Sequence, residues 1–272
     1  VLGMKTFAMP TRSIWLMVLL CSALVAGSKV AAQEPLRTVH VFVALADNKN
    51  QGIVPVAAKL GNGTDPRNNL YWGSAYGIKT YFARSAEWEL ISQGQTPKAE
   101  VLERCIFKHR HANVFMIADA YQGDKIKQAM IDFLSAAAGA GPAQIKAMDG
   151  SREVVLSGHG GANLVAYIGH EGFMDFQLPA LPQASGQGHR DAIVLACISK
   201  TYFRDALRSA GATPLVWTTG LMAPEAYTLK SALDGWILHE NAEAVRSRAA
   251  SAYSKYQKCS LGAARKLLVT GW

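Results

Sequence analysis

Blocks of like charge, low-complexity tracts and internal repeats are all missing from this 272-residue chain. Their absence excludes a disordered interaction tail and a solenoid of stacked repeats. Apolar stretches are short as well: the run near the N-terminus, Ile14 to Ala26, falls below the ~20 residues that a membrane span requires. Metal-ligand spacing is also lacking. His109 and His111 in "KHRH" have no third ligand at convincing spacing. The Asn-, Asp- and Gly-rich stretch 47–69 has no regular acidic spacing of a calcium loop, and turn formation explains its composition. No nucleic-acid motif or aromatic interleaving accompanies the cations. Their densest group, Arg246, Arg248, Lys255, Lys258, Arg265 and Lys266, reads as a solvated helix face. Neither a cofactor, nor a metal, nor a nucleic-acid partner is expected.

What is present is a chain that is 50% hydrophobic, a globular composition able to bury a core. Its first 32 residues read as a secretory signal peptide: a basic start, the apolar run, and small residues before a cut after Ala32. Leu20, directly before Cys21, argues against lipid attachment there. The expected mature chain, 33–272, is therefore a single exported domain, secreted or periplasmic, with no stable membrane insertion. Losing Lys5, Arg12 and Lys29 lowers the formal charge from +8 to +5. Three cysteines remain, Cys105, Cys197 and Cys259, and in an oxidising compartment an odd count leaves one over. Cys105 and Cys259 lie in polar contexts and are expected to form a disulfide. Cys197 closes an apolar run and is expected to stay reduced.

Short aliphatic runs alternate with amphipathic stretches, which is the signature of an α/β domain. Strands are expected at 38–46, 113–118, 153–157, 192–196 and 214–218, each a nearly continuous apolar run. Such runs suit a mostly parallel sheet flanked by helices on both faces. Helical stripes follow three of them: Ile126, Ala129, Met130, Phe133 and Leu134 after the second, Phe203, Ala206, Leu207 and Ala210 after the fourth, and Leu229, Ala232, Leu233, Trp236 and Ile237 after the fifth. Two segments break the alternation. Residues 47–112 form a long insertion with a helix-like stretch near 73–83, and 160–191 reads as a short hairpin followed by a loop.

In an open parallel sheet, ligands bind beyond the carboxyl ends of the strands. Asp47, Asp119, His159 and Cys197 each follow an expected strand. Of these, only His159 and Cys197 combine a general base with a nucleophile. On neighbouring strands they would emerge ~5 Å apart, and a nearby imidazole would draw the thiol proton and let Cys197 alkylate below the normal cysteine range. Backbone N–H groups of Gly160 and Cys197 could bind an oxyanion. The helix expected after Cys197 favours a negative sulfur. His170, Asp175 and His189 are alternative bases, with His170 expected to line the cleft.

An apolar run ending in His-Gly ("SGHGG"), followed by another ending in Ala-Cys ("LACIS"), resembles the caspase, legumain and gingipain superfamily of cysteine peptidases, clan CD. That resemblance implies a caspase-like three-layer sandwich, a His159–Cys197 catalytic dyad with Gly160 in the oxyanion hole, and hydrolysis of a peptide or protein substrate without a cofactor. Ile198 and Ser199 depart from the polar or glycine-containing run that often follows the family cysteine. Family members choose their substrate side chain through one pocket residue, and Asp47 or Asp119 could favour a basic one. "HGGA" also looks like the oxyanion loop of lipases and esterases, but the chain has no G-x-S-x-G to present a serine. The non-enzymatic alternative is an exported α/β binding module with an inert cysteine and a cleft filled by Tyr71 and Trp72.

Overall fold

The computed structural model describes residues 1–4, 34–186 and 188–272. From residue 5 onward the expected signal segment, with Cys21 and the cleavage position after Ala32, lies outside the described residues. Residues 34–272 form one compact unit, which the account below concerns.

The first strand, β1 (Arg37–Ala44), is central because it can bury both faces. Val39, Val41 and Val43 join one apolar cluster and Phe42 and Ala44 another, on opposite sides. After the insertion's helix α1 (Ile78–Ala83) come β2 (Trp88–Gly94), β3 (Val101–His109) and β4 (Val114–Tyr121). Helix α2 (Ile126–Ala137) leads to β5 (Ala143–Asp149), β6 (Arg152–Gly158) and β7 (Leu164–Ile168). The chain continues through β8 (Asp191–Leu195), α3 (Ser199–Tyr202), α4 (Arg204–Ala210) and β9 (Thr213–Thr218). It closes with α5 (Ala226–Ile237), α6 (Ala242–Gln257), α7 (Leu261–Leu267) and β10 (Leu268–Val269).

Eight of these strands form one mixed sheet in the order β10-β9-β8-β7-β1-β4-β3-β2, and β5 and β6 pair apart from it. From β4 across to β9 the neighbours are parallel; β2, β3 and β10 add antiparallel edges. The fold is thus α/β with a large, mostly parallel sheet. Helices α2 and α4 bury the expected stripes on the Phe42 side, while α1, α5 and α6 pack on the Val41 side. Each large side chain so buried contributes roughly 1.5–3 kcal/mol. Gly211, at φ 70, ends α4 in the left-handed conformation that a glycine adopts without strain.

Three expectations are corrected here. The run at 153–157 does form a strand, but one in the separate β5–β6 hairpin, where Val154 and Leu156 are buried and Val155 is exposed. The parallel position beside β1 belongs instead to β7, whose five residues are all buried. The 160–191 segment, expected to open with a hairpin, instead holds the parallel strand β7, and the 47–112 insertion supplies, besides its helix, β2 and β3, which extend the sheet antiparallel beyond β4.

Candidate active site

The structure does not bring His159 and Cys197 together. His159 opens a single 3₁₀ turn ahead of β7, whereas Cys197 follows β8, which runs parallel to β7. His159 packs on the face of the sheet, its ring 4.7 Å from that of His40 and 5.7 Å from that of Phe42, whereas Cys197 lies beyond the carboxyl end of β8 on a cavity that His159 does not line. Gly160 does not line the cavity that Cys197 borders either. It packs on the turn after α2, where a Cβ would meet Ala140 O at 2.4 Å, so the expected oxyanion pair is not assembled.

His159 belongs instead to a polar cluster under α2. Its backbone N–H donates to His40 Nδ1 at 2.9 Å. His40 Nδ1 is thereby an acceptor, so Nε2 carries the proton and donates to Asp119 Oδ2 at 3.1 Å. Arg104 grips the same carboxylate twice, at 2.6 and 2.7 Å. Asp119 is fully buried, and burial alone would raise its pKa. The hydrogen bonds from Arg104 and His40 overcome that and hold it well below the usual carboxylate range. Burial, then the neighbouring His40, pushes the His159 imidazole down to about 4. His40, Asp119 and His159 offer ligand atoms within 4.8 Å of one another. A metal there would have to displace both an amide proton and Arg104, so the arrangement reads as a structural knot.

Asp47 is likewise committed to its own loop. Its Oδ1 accepts from Lys49 N and Asn50 N at 2.9 and 3.2 Å, and its Oδ2 from Asn50 Nδ2 at 2.8 Å. Neither Asp47 nor Asp119 borders the cavity beside Cys197, so neither is placed to select a basic substrate group.

That cavity has a volume of about 310 Å³ and is lined by both Cys197 and His170. The last register pair of β7 and β8 is Ile168 with Leu195. His170 follows β7 and Cys197 follows β8, each two residues beyond that pair, and both line the one cavity. His170 is nearly buried and its orientation is fixed. Nε2 meets Asp175 Oδ2 at 2.8 Å, its carbonyl accepts from Tyr167 Oη at 2.8 Å, and Asp175 also accepts the Gly52 amide at 3.1 Å. Nδ1 makes no hydrogen bond among the described residues. Gly169, at φ 156, brings the chain so close to β1 that a Cβ would lie 3.1 Å from both Ala44 Cβ and Ala44 O.

Cys197 sits on a tight turn. Ile198 has φ 52, a region that β-branched residues avoid, at a cost on the order of 1–3 kcal/mol. The surroundings hold it there: Ile198 N donates to Gly220 O at 2.8 Å, Ser199 Oγ to Val194 O at 3.0 Å, and Thr218 N to Ser199 Oγ at 2.9 Å. The Cys197 thiol donates to Met222 O at 3.7 Å and accepts from Met222 N at 3.4 Å. Helix α3 has only four residues, too short for the expected dipole assistance to amount to much.

Burial pushes the Cys197 thiol above the ordinary cysteine range; the Met222 amide opposes this, and Glu171 adds to it. The activated resting thiolate expected from the sequence is therefore not supported. Glu171, next to His170, is itself pushed up to about 8 by burial, and its Oε2 has no hydrogen-bond partner among the described residues. A protonated thiol that shares a cavity with an oriented imidazole is chemically suited to one step above all: proton transfer from sulfur to His170 Nδ1 as the sulfur attacks an electrophile. A signal for His170 was in the sequence, since "LVAYIGH" is an apolar run stopping at a histidine.

The expected Cys105–Cys259 bridge is not formed; Cys105, Cys197 and Cys259 are all free thiols. Cys105 is fully buried on β3, where burial pushes its thiol up to about 12. Cys197 and Cys259 are half-buried. Under native conditions a thiol reagent should label Cys197 and Cys259, with Cys105 labelled only after denaturation. Peptide mapping by mass spectrometry reads this directly, and a 105–259 bridged peptide would contradict it. Of the module's proposed aromatics, Tyr71 lines the cavity, whereas Trp72 is fully buried and donates to Glu103 Oε2. Comparison of the chain with protein-family models, with curated proteins and with solved structures found no match.

Proposed function

We propose that this chain is an exported cysteine endopeptidase in which Cys197 is the nucleophile, His170 the general base and acid, and Asp175 the group that orients the imidazole. The observation that carries the reading is that His170 and Cys197, which follow the neighbouring parallel strands β7 and β8, line one cavity. In the forward step the thiol proton passes to His170 Nδ1 and the sulfur attacks the scissile carbonyl carbon. As the C–N bond breaks, the amine leaves with that proton, and a thioester remains on Cys197. Water then attacks the thioester while His170 accepts its proton. Release of the acid returns the proton to sulfur. Asp175 on Nε2 fixes the tautomer that leaves Nδ1 basic.

The strand order and the Ala-Cys turn support a caspase-like sandwich of the kind that the two sequence motifs resemble. In this reading the family's histidine is His170, in "IGHEG", rather than His159. A glutamate then stands where the family has its glycine, which leaves the oxyanion donors unassigned. The binding-module alternative draws on a single observation, the raised thiol engaged on both sides by Met222. Screening a peptide library with the purified protein beside Cys197→Ala separates the two: hydrolysis confined to the unmodified chain supports the peptidase, and none supports the module.

The raised thiol has a consequence that needs no substrate. Iodoacetamide alkylation of Cys197 should gain rate only above the ordinary cysteine midpoint of ~8.5. Glu171→Gln should move that midpoint down, because the Glu171 charge is one of the groups that raise it. A midpoint well below the ordinary value would contradict this description of the resting site.

A further inference from the structure

We infer that the substrate side chain next to the scissile carbonyl is a bulky aliphatic or aromatic one, not acidic, amide or basic; this deepens the peptidase reading and rests on it. The walls beside Cys197 and His170 include Leu70, Tyr71 and Met222. At the mouth, Val54, Leu221 and Met174 are 85%, 72% and 38% exposed. Single exposed apolar side chains are ordinary, but three gathered at the opening of one cleft mark a surface kept apolar for a ligand.

Charge selection has little to work with there. No lysine or arginine lines the cavity among the described residues, so an acidic side chain would enter without a counter-ion. One carboxylate that borders it, Glu225, already accepts from Tyr227 Oη at 2.7 Å and from Gln257 Nε2 at 3.1 Å. Asp175, close by, is held by His170 and by the Gly52 amide. An acidic or amide group entering this space would lose water for little in return, and a basic one would find a single bordering carboxylate, Glu225, already shared by two neutral donors; an apolar one gains by leaving water. A cavity of about 310 Å³ is at the small end of ligand sites, which suits one large side chain and the adjoining carbonyl rather than a long ligand.

The test uses peptidyl acyloxymethyl ketones that differ only in the residue next to the warhead: Leu, Phe, Asp, Asn or Lys. The rate of covalent labelling at Cys197 is read by mass spectrometry on the full chain. The Leu and Phe probes should label at least ~10-fold faster than the other three. Val54→Asp, at a position exposed enough not to threaten folding, should cut the ratio of Leu-probe to Lys-probe rates by at least ~10-fold, with the folded state checked by circular dichroism. Faster or equal labelling by the Asp, Asn or Lys probe would overturn the apolar specificity and leave the peptidase reading standing. Labelling by every probe no faster than by iodoacetamide, and insensitive to His170→Ala, would overturn the peptidase reading itself.

Discussion

His170→Ala should lower kcat/KM by roughly 10²–10⁴-fold, the range over which a positioned general base acts, while His159→Ala should leave turnover within a few-fold of the unmodified chain. The contrast follows from strand direction. His170 follows β7 and lines the same cavity as Cys197, whereas His159 precedes β7 and packs against Phe42 beneath α2. Loss of the His170 ring frees Asp175, which is exposed enough to be hydrated, so the variant is expected to fold. Cys197→Ala should remove hydrolysis altogether, and the double variant should be little worse than that single one, because nucleophile and base act as a unit. Steady-state kinetics beside thermal unfolding checks all of these variants. Loss of activity in His159→Ala with His170→Ala unaffected would reverse the assignment.

The second large effect is on stability. Asp119→Ala leaves the buried His40 and the largely buried Arg104 without their shared acceptor, and should cost about 3–5 kcal/mol in chemical denaturation. That is a large share of the ~5–15 kcal/mol typical of a folded domain. The same cluster sets two windows of acid sensitivity. His159 has a folded pKa pushed down to about 4, below the unfolded value of ~6.5. The unfolded chain therefore binds the proton first, and stability falls as pH drops from ~6.5 toward 4, then levels off for this group. Asp119 also has a depressed folded pKa. Its contribution is complete above the unfolded value of ~3.9 and is lost as pH falls further, through the folded value. His159→Gln should remove this group's share of the upper window, on which the lowered His109 and the raised Glu171 also act, and leave the lower one in place. Denaturation midpoints across pH 3–8 would decide it, and an unchanged upper window in that variant would contradict the account.

The parts of this fold that could be read from the chain are those decided locally. The continuous apolar run of β1, buried on both faces, and the stripes of α2, α4 and α5 follow from the local pattern alone, and all lie where that pattern puts them. Strand pairing is not local. "EVVLS" and "LVAYI" are equally short apolar runs, and only the tertiary structure assigns the first to a half-exposed hairpin and the second to the buried parallel position. That single exchange moved the base from His170 to His159, while Cys197 stayed at the carboxyl end of its strand. The insertion's strands were missed for a related reason. "WELISQG" carries the mixed polarity of an edge strand, and "VLERCIFKH" buries its cysteine and phenylalanine only because β4 lies beside it. Cys105 looked polar among Glu103, Arg104 and Lys108, yet its own side chain faces the core. A disulfide needs two sulfurs that can meet, and spacing in the sequence says nothing about that.

The central claim, that His170 and not His159 stands beside Cys197, can be tested without any substrate. Two variants, His170→Cys and His159→Cys, are each oxidised gently and mapped by non-reducing peptide analysis. Residues that share one cavity at the ends of adjacent strands can reach the ~4.4–6.8 Å Cα separation that a disulfide accepts, and a residue off that cavity does not. His170→Cys should give a 170–197 bridged peptide, and His159→Cys should give no bridge to Cys197. A 159–197 bridge, or the absence of a 170–197 bridge under the same oxidation, would contradict the account.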